Sequence, residues 1–149
     1  LKGYNFRMEG IQGAVLRVKM RHIEAWTEAR RAAARYYDQA FAGSGIETPP
    51  QSNGSRHVYH VYAVRSPERA RWQQELTAKG VQTGIHYPIP VHLQPAYADA
   101  RWQRGDFPHS EKASNEVLSL PMYPELNRVQ QDEVVAAVLE TAKQLVPSR

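Results

Sequence analysis

The chain has 149 residues, 42% hydrophobic and 23% charged, enough for one domain with a real hydrophobic core. It has no cysteine, which excludes disulfides and thiolate metal sites, and no apolar run long enough to span a membrane. The net charge of +4 comes from basic residues interleaved with acids, as in Arg17, Lys19, Arg21, Glu24, Glu28, Arg30 and Arg31. That spread argues for a solvated helix face or a protein contact rather than nucleic acid.

The first predicted element is one long amphipathic helix from Glu9 to about Ala42. Ile11, Val15, Val18, His22, Trp26, Ala29, Ala33, Tyr37 and Phe41 recur at three- or four-residue steps and form one stripe. At 1.5 Å per residue such a helix reaches roughly 50 Å, long enough to bridge two domains or hold a partner subunit. Gly43-Ser44-Gly45 ends it, and a polar, proline-bearing loop runs from Thr48-Pro49-Pro50 to Gly54.

His57 to Arg65, rich in Val and Tyr, reads as a buried strand. Ser66 and Pro67 read as the N-cap and first residue of a helix that stops at Gly80. Val81 to Ile85 is a second predicted strand. Tyr87 to Phe107 holds three of the ten prolines and reads as an irregular loop. A short helix over about His109 to Val117 and a third strand over Val117 to Pro121 follow. Asn127 and Gln130 form a capping-box pair. They open a last helix whose apolar face is Val134, Val135, Val138, Leu139, Ala142, Leu145 and Val146. The expected fold class is α/β, a small α+β sandwich with helices on one side of a short sheet. Residues 1–42 are read as a connecting segment with the long helix, and 43–149 as the small α/β domain.

Two segments 80 residues apart, Gly3-Tyr4-Asn5-Phe6-Arg7-Met8 and Thr83-Gly84-Ile85-His86-Tyr87-Pro88-Ile89-Pro90-Val91-His92-Leu93-Gln94, fit neither ordinary core nor linker. Pro88 and Pro90 restrict the residues before them, so an imidazole and a phenol are held on stiff backbone at a strand end. From spacing alone this is either a ligand site or a structural turn. His57 and His60, three apart on a predicted strand, point to opposite faces, which is poor geometry for one metal. Ser119 lacks the flanking glycines of a nucleophile elbow. Trp26, Trp72 and Trp102 read as core or interface anchors.

These motifs resemble those of the DegT/DnrJ/EryC1/StrS family of sugar aminotransferases. The resemblance rests on Gly3, Asn5, Arg7 and Met8, on the His86-Tyr87-Pro88 turn with Pro90, His92 and Gln94, and on Phe107-Pro108 with Glu111. Ser119-Leu120-Pro121-Met122-Tyr123-Pro124 completes it. It covers essentially the whole chain. It implies the small domain of a fold type I, pyridoxal-phosphate-dependent homodimer. Such enzymes move an amino group from glutamate or glutamine to a keto sugar, usually nucleotide-linked. It implies that Asn5 reaches the cofactor phosphate of the other subunit and that Arg7, His86 and Tyr87 lie at the substrate. No segment resembles the family's lysine region or the Asp and His that hold the pyridine ring.

The first residue is Leu1 and no signal-peptide pattern opens the chain, so it is expected to be cut from something longer. The expected partners are a large N-terminal domain, a second subunit and the sugar substrate, with no nucleic acid and no membrane. The expected location is the cytoplasm, and the chain alone is expected to be inactive. The competing reading is a free-standing interaction module that binds a protein or an anionic ligand without catalysis.

Overall fold

A computed structural model of the chain describes residues 7–51, 54–98 and 101–145. Gly3, Asn5 and Val146, singled out above, lie outside these residues.

The predicted long helix is two helices joined by a 3₁₀ turn. Helix α1 spans Gly10–Lys19, the turn Met20–His22, and α2 Ile23–Phe41. The Glu9 N–H donates to Gln12 Oε1 at 3.0 Å, which satisfies one orphan donor at the start of α1. No residue of α1 is buried. With no packed face to hold it in register with α2, the helix tightens where His22 and Ile23, both modest helix formers, adjoin. The apolar stripe thus divides. Ala33, Tyr37 and Phe41 are buried, whereas Ile11 is 78% exposed and Val15 and Val18 are exposed as well.

Three strands were expected, but two form among the described residues. Strand β1 is Tyr62–Arg65 and β2 is Val117–Leu120; they pair antiparallel, with Tyr62 opposite Leu120 and Val64 opposite Leu118. The strand expected from His57 starts late because its first carbonyls are taken elsewhere. Arg31 Nη1 donates to the His57 carbonyl at 2.8 Å, and Arg30 Nε to that of Val58 at 2.9 Å. Tyr59 has φ +47° and donates its N–H to His57 Nδ1. That left-handed residue cannot continue a ladder. His57 and His60 are therefore not on a strand at all.

The strand expected over Val81 to Ile85 reduces to a single antiparallel bridge between Gly84 and Ser119. Its first residue is still part of a helix ending, since the Val81 N–H donates to the Leu76 carbonyl across Gly80, which has φ +79°. On the opposite edge of the sheet Glu47 bridges Arg65. The rows therefore run Glu47, β1, β2, Gly84.

Helix α3 is Arg69–Ala78. Its N-cap is Glu68 rather than Ser66, whose Oγ instead accepts the Glu68 N–H at 3.1 Å and turns the chain one step earlier. Helix α4 is Pro108–Glu116 and α5 is Arg128–Leu145. The Asn127–Gln130 capping box ahead of α5 is reciprocal, with bonds of 3.0 and 3.1 Å.

The core lies between one sheet face and α2, α3 and α5. Tyr62, Val64, Leu118 and Leu120 pack there with Tyr37, Phe41, Trp72, Leu76 and Val138. The Tyr37 hydroxyl donates to the Pro121 carbonyl at 3.1 Å, and that of Tyr62 to Asp38 Oδ1 at 2.7 Å. Burial pushes both phenols well above the usual tyrosine range.

Leu118 is fully buried at the centre of this layer. Leu118→Ala is expected to lose about 2–5 kcal/mol of stability. Arg71→Ala, which removes an exposed ion pair with Glu68, is expected to change it by less than about 1 kcal/mol. Urea denaturation of the three proteins checks both values.

Candidate functional site

Alternation along β2 sends Leu118 and Leu120 into the core and Ser119 to the other face. Ser119 is nonetheless only 5% exposed. Its cover is His86, whose Nδ1 lies 2.9 Å from Ser119 Oγ. The chain reaches that position through the Gly84 bridge. The Gly84 N–H donates to the Ser119 carbonyl at 3.0 Å, and the Ser119 N–H to the Gly84 carbonyl at 2.7 Å. Two residues later the imidazole folds back over the glycine. A Cβ at position 84 would stand 2.8 Å from His86 Cε1, so only glycine leaves the ring its place.

The rings of His86 and Tyr87 meet edge-on with centroids 5.4 Å apart, and the peptide between them is cis. Tyr87 is 71% exposed. The turn stands between two open spaces. One, of about 260 Å³, is lined by His60, Gly84, His86, Ser119 and Met122. The other, of about 690 Å³, runs from Tyr87 along Ile89 and Val91 to the rings of Tyr97, Trp102 and Phe107.

The loop after the turn, expected to be irregular, contains two 3₁₀ turns, Val91–Leu93 and Pro95–Tyr97. It is fastened to α4 by one carboxylate. Glu111 Oε1 accepts from the Gly105 N–H at 2.7 Å and lies 3.0 Å from His92 Nε2. His92 in turn packs on Phe107, and Phe107 on Trp102, with centroids 4.8 and 5.1 Å apart. The Gly105 N–H foremost, helped by His92 and the Phe107 backbone, holds the Glu111 carboxyl below the usual carboxylate range.

Of the residues expected at the site, His86 and Tyr87 stand together. Arg7 is exposed just ahead of α1. Asn5 is outside the described residues. Sequence reasoning missed what Ser119, Gly84 and Glu111 do. The signal for Ser119 was present in Val117-Leu118-Ser119-Leu120, where a small polar residue sits between two core leucines. Among the described residues no group of three or more His, Asp or Glu could hold a metal. No helix among them is long and apolar enough to cross a membrane.

Two outcomes follow from this geometry. Gly84→Ala should push the imidazole off Ser119, visible as altered His86 ring resonances in a protein that still folds. The second concerns acid. Because the folded carboxyl of Glu111 titrates below its unfolded value, its contribution is full above about pH 4.3 and is lost as pH falls through the folded value. The stability difference between wild type and Glu111→Gln should therefore shrink on acidification, as read by denaturation at pH 7 and pH 3.

The sequence matches the model of the DegT/DnrJ/EryC1/StrS aminotransferase family over residues 1–139. A pleiotropic regulatory protein of Geobacillus stearothermophilus is 42% identical over 141 residues, which take in 93% of this chain and 38% of that protein. The dTDP-3-amino-3,4,6-trideoxy-alpha-D-glucose transaminase of Streptomyces venezuelae is 39% identical over 145 residues, covering 97% and 38%. The crystal structure of S. venezuelae DesV in complex with a ketimine intermediate superposes with a TM-score of 0.88 at 40% identity, over 96% of this chain and 39% of that one. The chain thus spans a little over a third of the length of these relatives. The motifs around Gly3–Met8 and Thr83–Gln94, the fold and this match agree: the chain belongs to the DegT/DnrJ/EryC1/StrS aminotransferase family.

Proposed function

We propose that this chain is the C-terminal small domain of a pyridoxal-phosphate-dependent aminotransferase that aminates a keto sugar, nucleotide-linked, with glutamate or glutamine as donor. The observation that carries this reading is the family match over residues 1–139, which contains both the Asn5–Arg7 segment and the His86–Tyr87 turn. Relatives named as transaminases of dTDP-linked and UDP-linked sugars support the substrate class.

In this reading residues 1–42 connect the small domain, 43–149, to a large domain that precedes it. The exposed Ile11, Val15 and Val18 of α1, with Met8 just ahead of it, support such a covering. The large domain and a second subunit are the partners. Asn5 would donate amide hydrogen bonds to the cofactor phosphate of the other subunit, and Arg7 would pair with the anionic part of the substrate.

The described residues do not by themselves fit pyridoxal phosphate. Lys79 is paired with Glu140 at 2.8 Å, Lys112 lies 3.9 Å from Glu116, and Lys19 stands over the Trp26 ring. No lysine lines either space beside the turn. The Schiff-base lysine and the groups that hold the pyridine ring are assigned to the large domain. What this chain offers is hydrogen bonding and ring surface at the sugar.

His86→Ala in the intact enzyme tests the reading. It should slow the half-reaction with the keto sugar, read by loss of the aminated cofactor's absorbance. The half-reaction with the amino donor should be little changed. Both half-reactions unchanged from wild type, with stability intact, would make the turn structural.

A further inference from the structure

We propose that Ser119 is a positioning residue for His86. Its buried hydroxyl donates to Nδ1 and holds the neutral imidazole as the Nε2–H tautomer, which makes His86 a fixed hydrogen-bond donor to an oxygen of the substrate rather than a base. The assignment of that oxygen to a sugar rests on the aminotransferase reading above; the tautomer does not.

The argument is one of hydrogen-bond accounting. Ser119 has already committed its N–H and its carbonyl to Gly84. That leaves a hydroxyl in a residue 5% exposed. Among the described residues its single hydrogen-bond partner is His86 Nδ1, at 2.9 Å. A neutral imidazole carries one N–H and one bare nitrogen. If Nδ1 bore the proton, it would donate to Oγ and the hydroxyl proton would have no acceptor among the described residues. A buried donor left unmade is costly. If Nδ1 is bare, the hydroxyl donates to it and both groups are satisfied. The ring proton then sits on Nε2, which makes no hydrogen bond among the described residues.

Shape holds the ring in place. Gly84 lies against the ring at Cε1, and the Tyr87 ring stands edge-on to it. The imidazole is thus confined on one side by backbone and on another by an aromatic edge. His86 is exposed and borders the 260 Å³ space in front of Ser119. A hydroxyl, carbonyl or phosphate oxygen entering there would meet an N–H already oriented, so little rotamer freedom is lost on binding. The same bond keeps the imidazole from acting as proton acceptor toward that ligand while it is neutral.

The test has a spectroscopic arm and a kinetic arm. Nitrogen-15 NMR of the histidine-labelled chain at about pH 8.5, where an ordinary imidazole is neutral, should show His86 with a bare Nδ1 and a protonated Nε2. In Ser119→Ala the two nitrogens should move toward each other as the tautomers exchange, and Ser119→Thr, which keeps a hydroxyl, should restore the separation. A protonated Nδ1 in the wild type overturns the proposal. So does a Ser119→Ala spectrum identical to the wild type in a protein whose other resonances are unmoved. In the intact enzyme Ser119→Ala should raise KM for the keto sugar about two- to tenfold, the loss of one neutral hydrogen bond. It should leave the amino-donor half-reaction unchanged, and Ser119→Thr should recover most of the loss. Unchanged KM and kcat for the sugar would overturn the positioning role. If the intact wild-type enzyme aminates no keto sugar, the functional reading falls, while the tautomer still stands or falls on the spectra.

Discussion

The structure depends on β2 being paired on both edges. Four residues, Val117–Leu120, are held by Tyr62–Arg65 on one side and by Gly84 on the other. A strand so short has few bonds to lose, and neither edge is left to solvent at its centre. Its two faces then do different work. Leu118 and Leu120 anchor the apolar layer shared with α2, α3 and α5. Ser119, between them, carries the imidazole of His86 on the opposite face. A one-residue slip of register would exchange these faces and place the serine in the core. The rigidity of the candidate site is therefore inherited from the core behind it.

Two further devices fix the loops that frame the site, and both use charged side chains on backbone groups. On one side Arg30 and Arg31 of α2 hold the carbonyls of Val58 and His57, which sets the entry to β1 and seats Tyr59 in the core. On the other, Glu111 of α4 gathers the Gly105 N–H and the His92 ring. A charged partner makes such bonds stronger than neutral ones. The Arg56 pairs with Glu24 and Glu28 are exposed at both ends and contribute little by comparison. The aromatic chain His92–Phe107–Trp102 continues the second fastening into the wall of the larger groove.

Much of this was legible along the chain. The Asn127–Gln130 capping box, the stop at Gly80, the Gly43-Ser44-Gly45 break and the apolar face of α5 are local signals, and each stands where local chemistry puts it. Three departures concern whole elements. The strand expected from His57 was shortened by arginines 26 and 28 residues earlier in sequence. The strand expected at Val81 to Ile85 became a helix ending followed by a single bridge. The long helix lost its continuity where its first half had no surface to pack on. In the first and last a partner distant in sequence, or its lack, outweighed a sound local preference; in the second the helix ending at Gly80 ran on into the segment.

The candidate site divides in the same way. The stiff His86-Tyr87-Pro88-Ile89-Pro90 turn is visible in the sequence because proline restricts its neighbour wherever it occurs. The sequence by itself determined the α/β class, the family motifs, and the presence of an imidazole and a phenol on constrained backbone. It could not say which nitrogen of that imidazole is engaged, because the answer lies 33 residues away at Ser119. Nor could it say why position 84 is a glycine, since the crowding comes from a ring folded back in space. Hydrogen bonds and van der Waals contact act over a few ångströms of space, whereas sequence orders residues along the chain. Only the tertiary structure converts the second into the first.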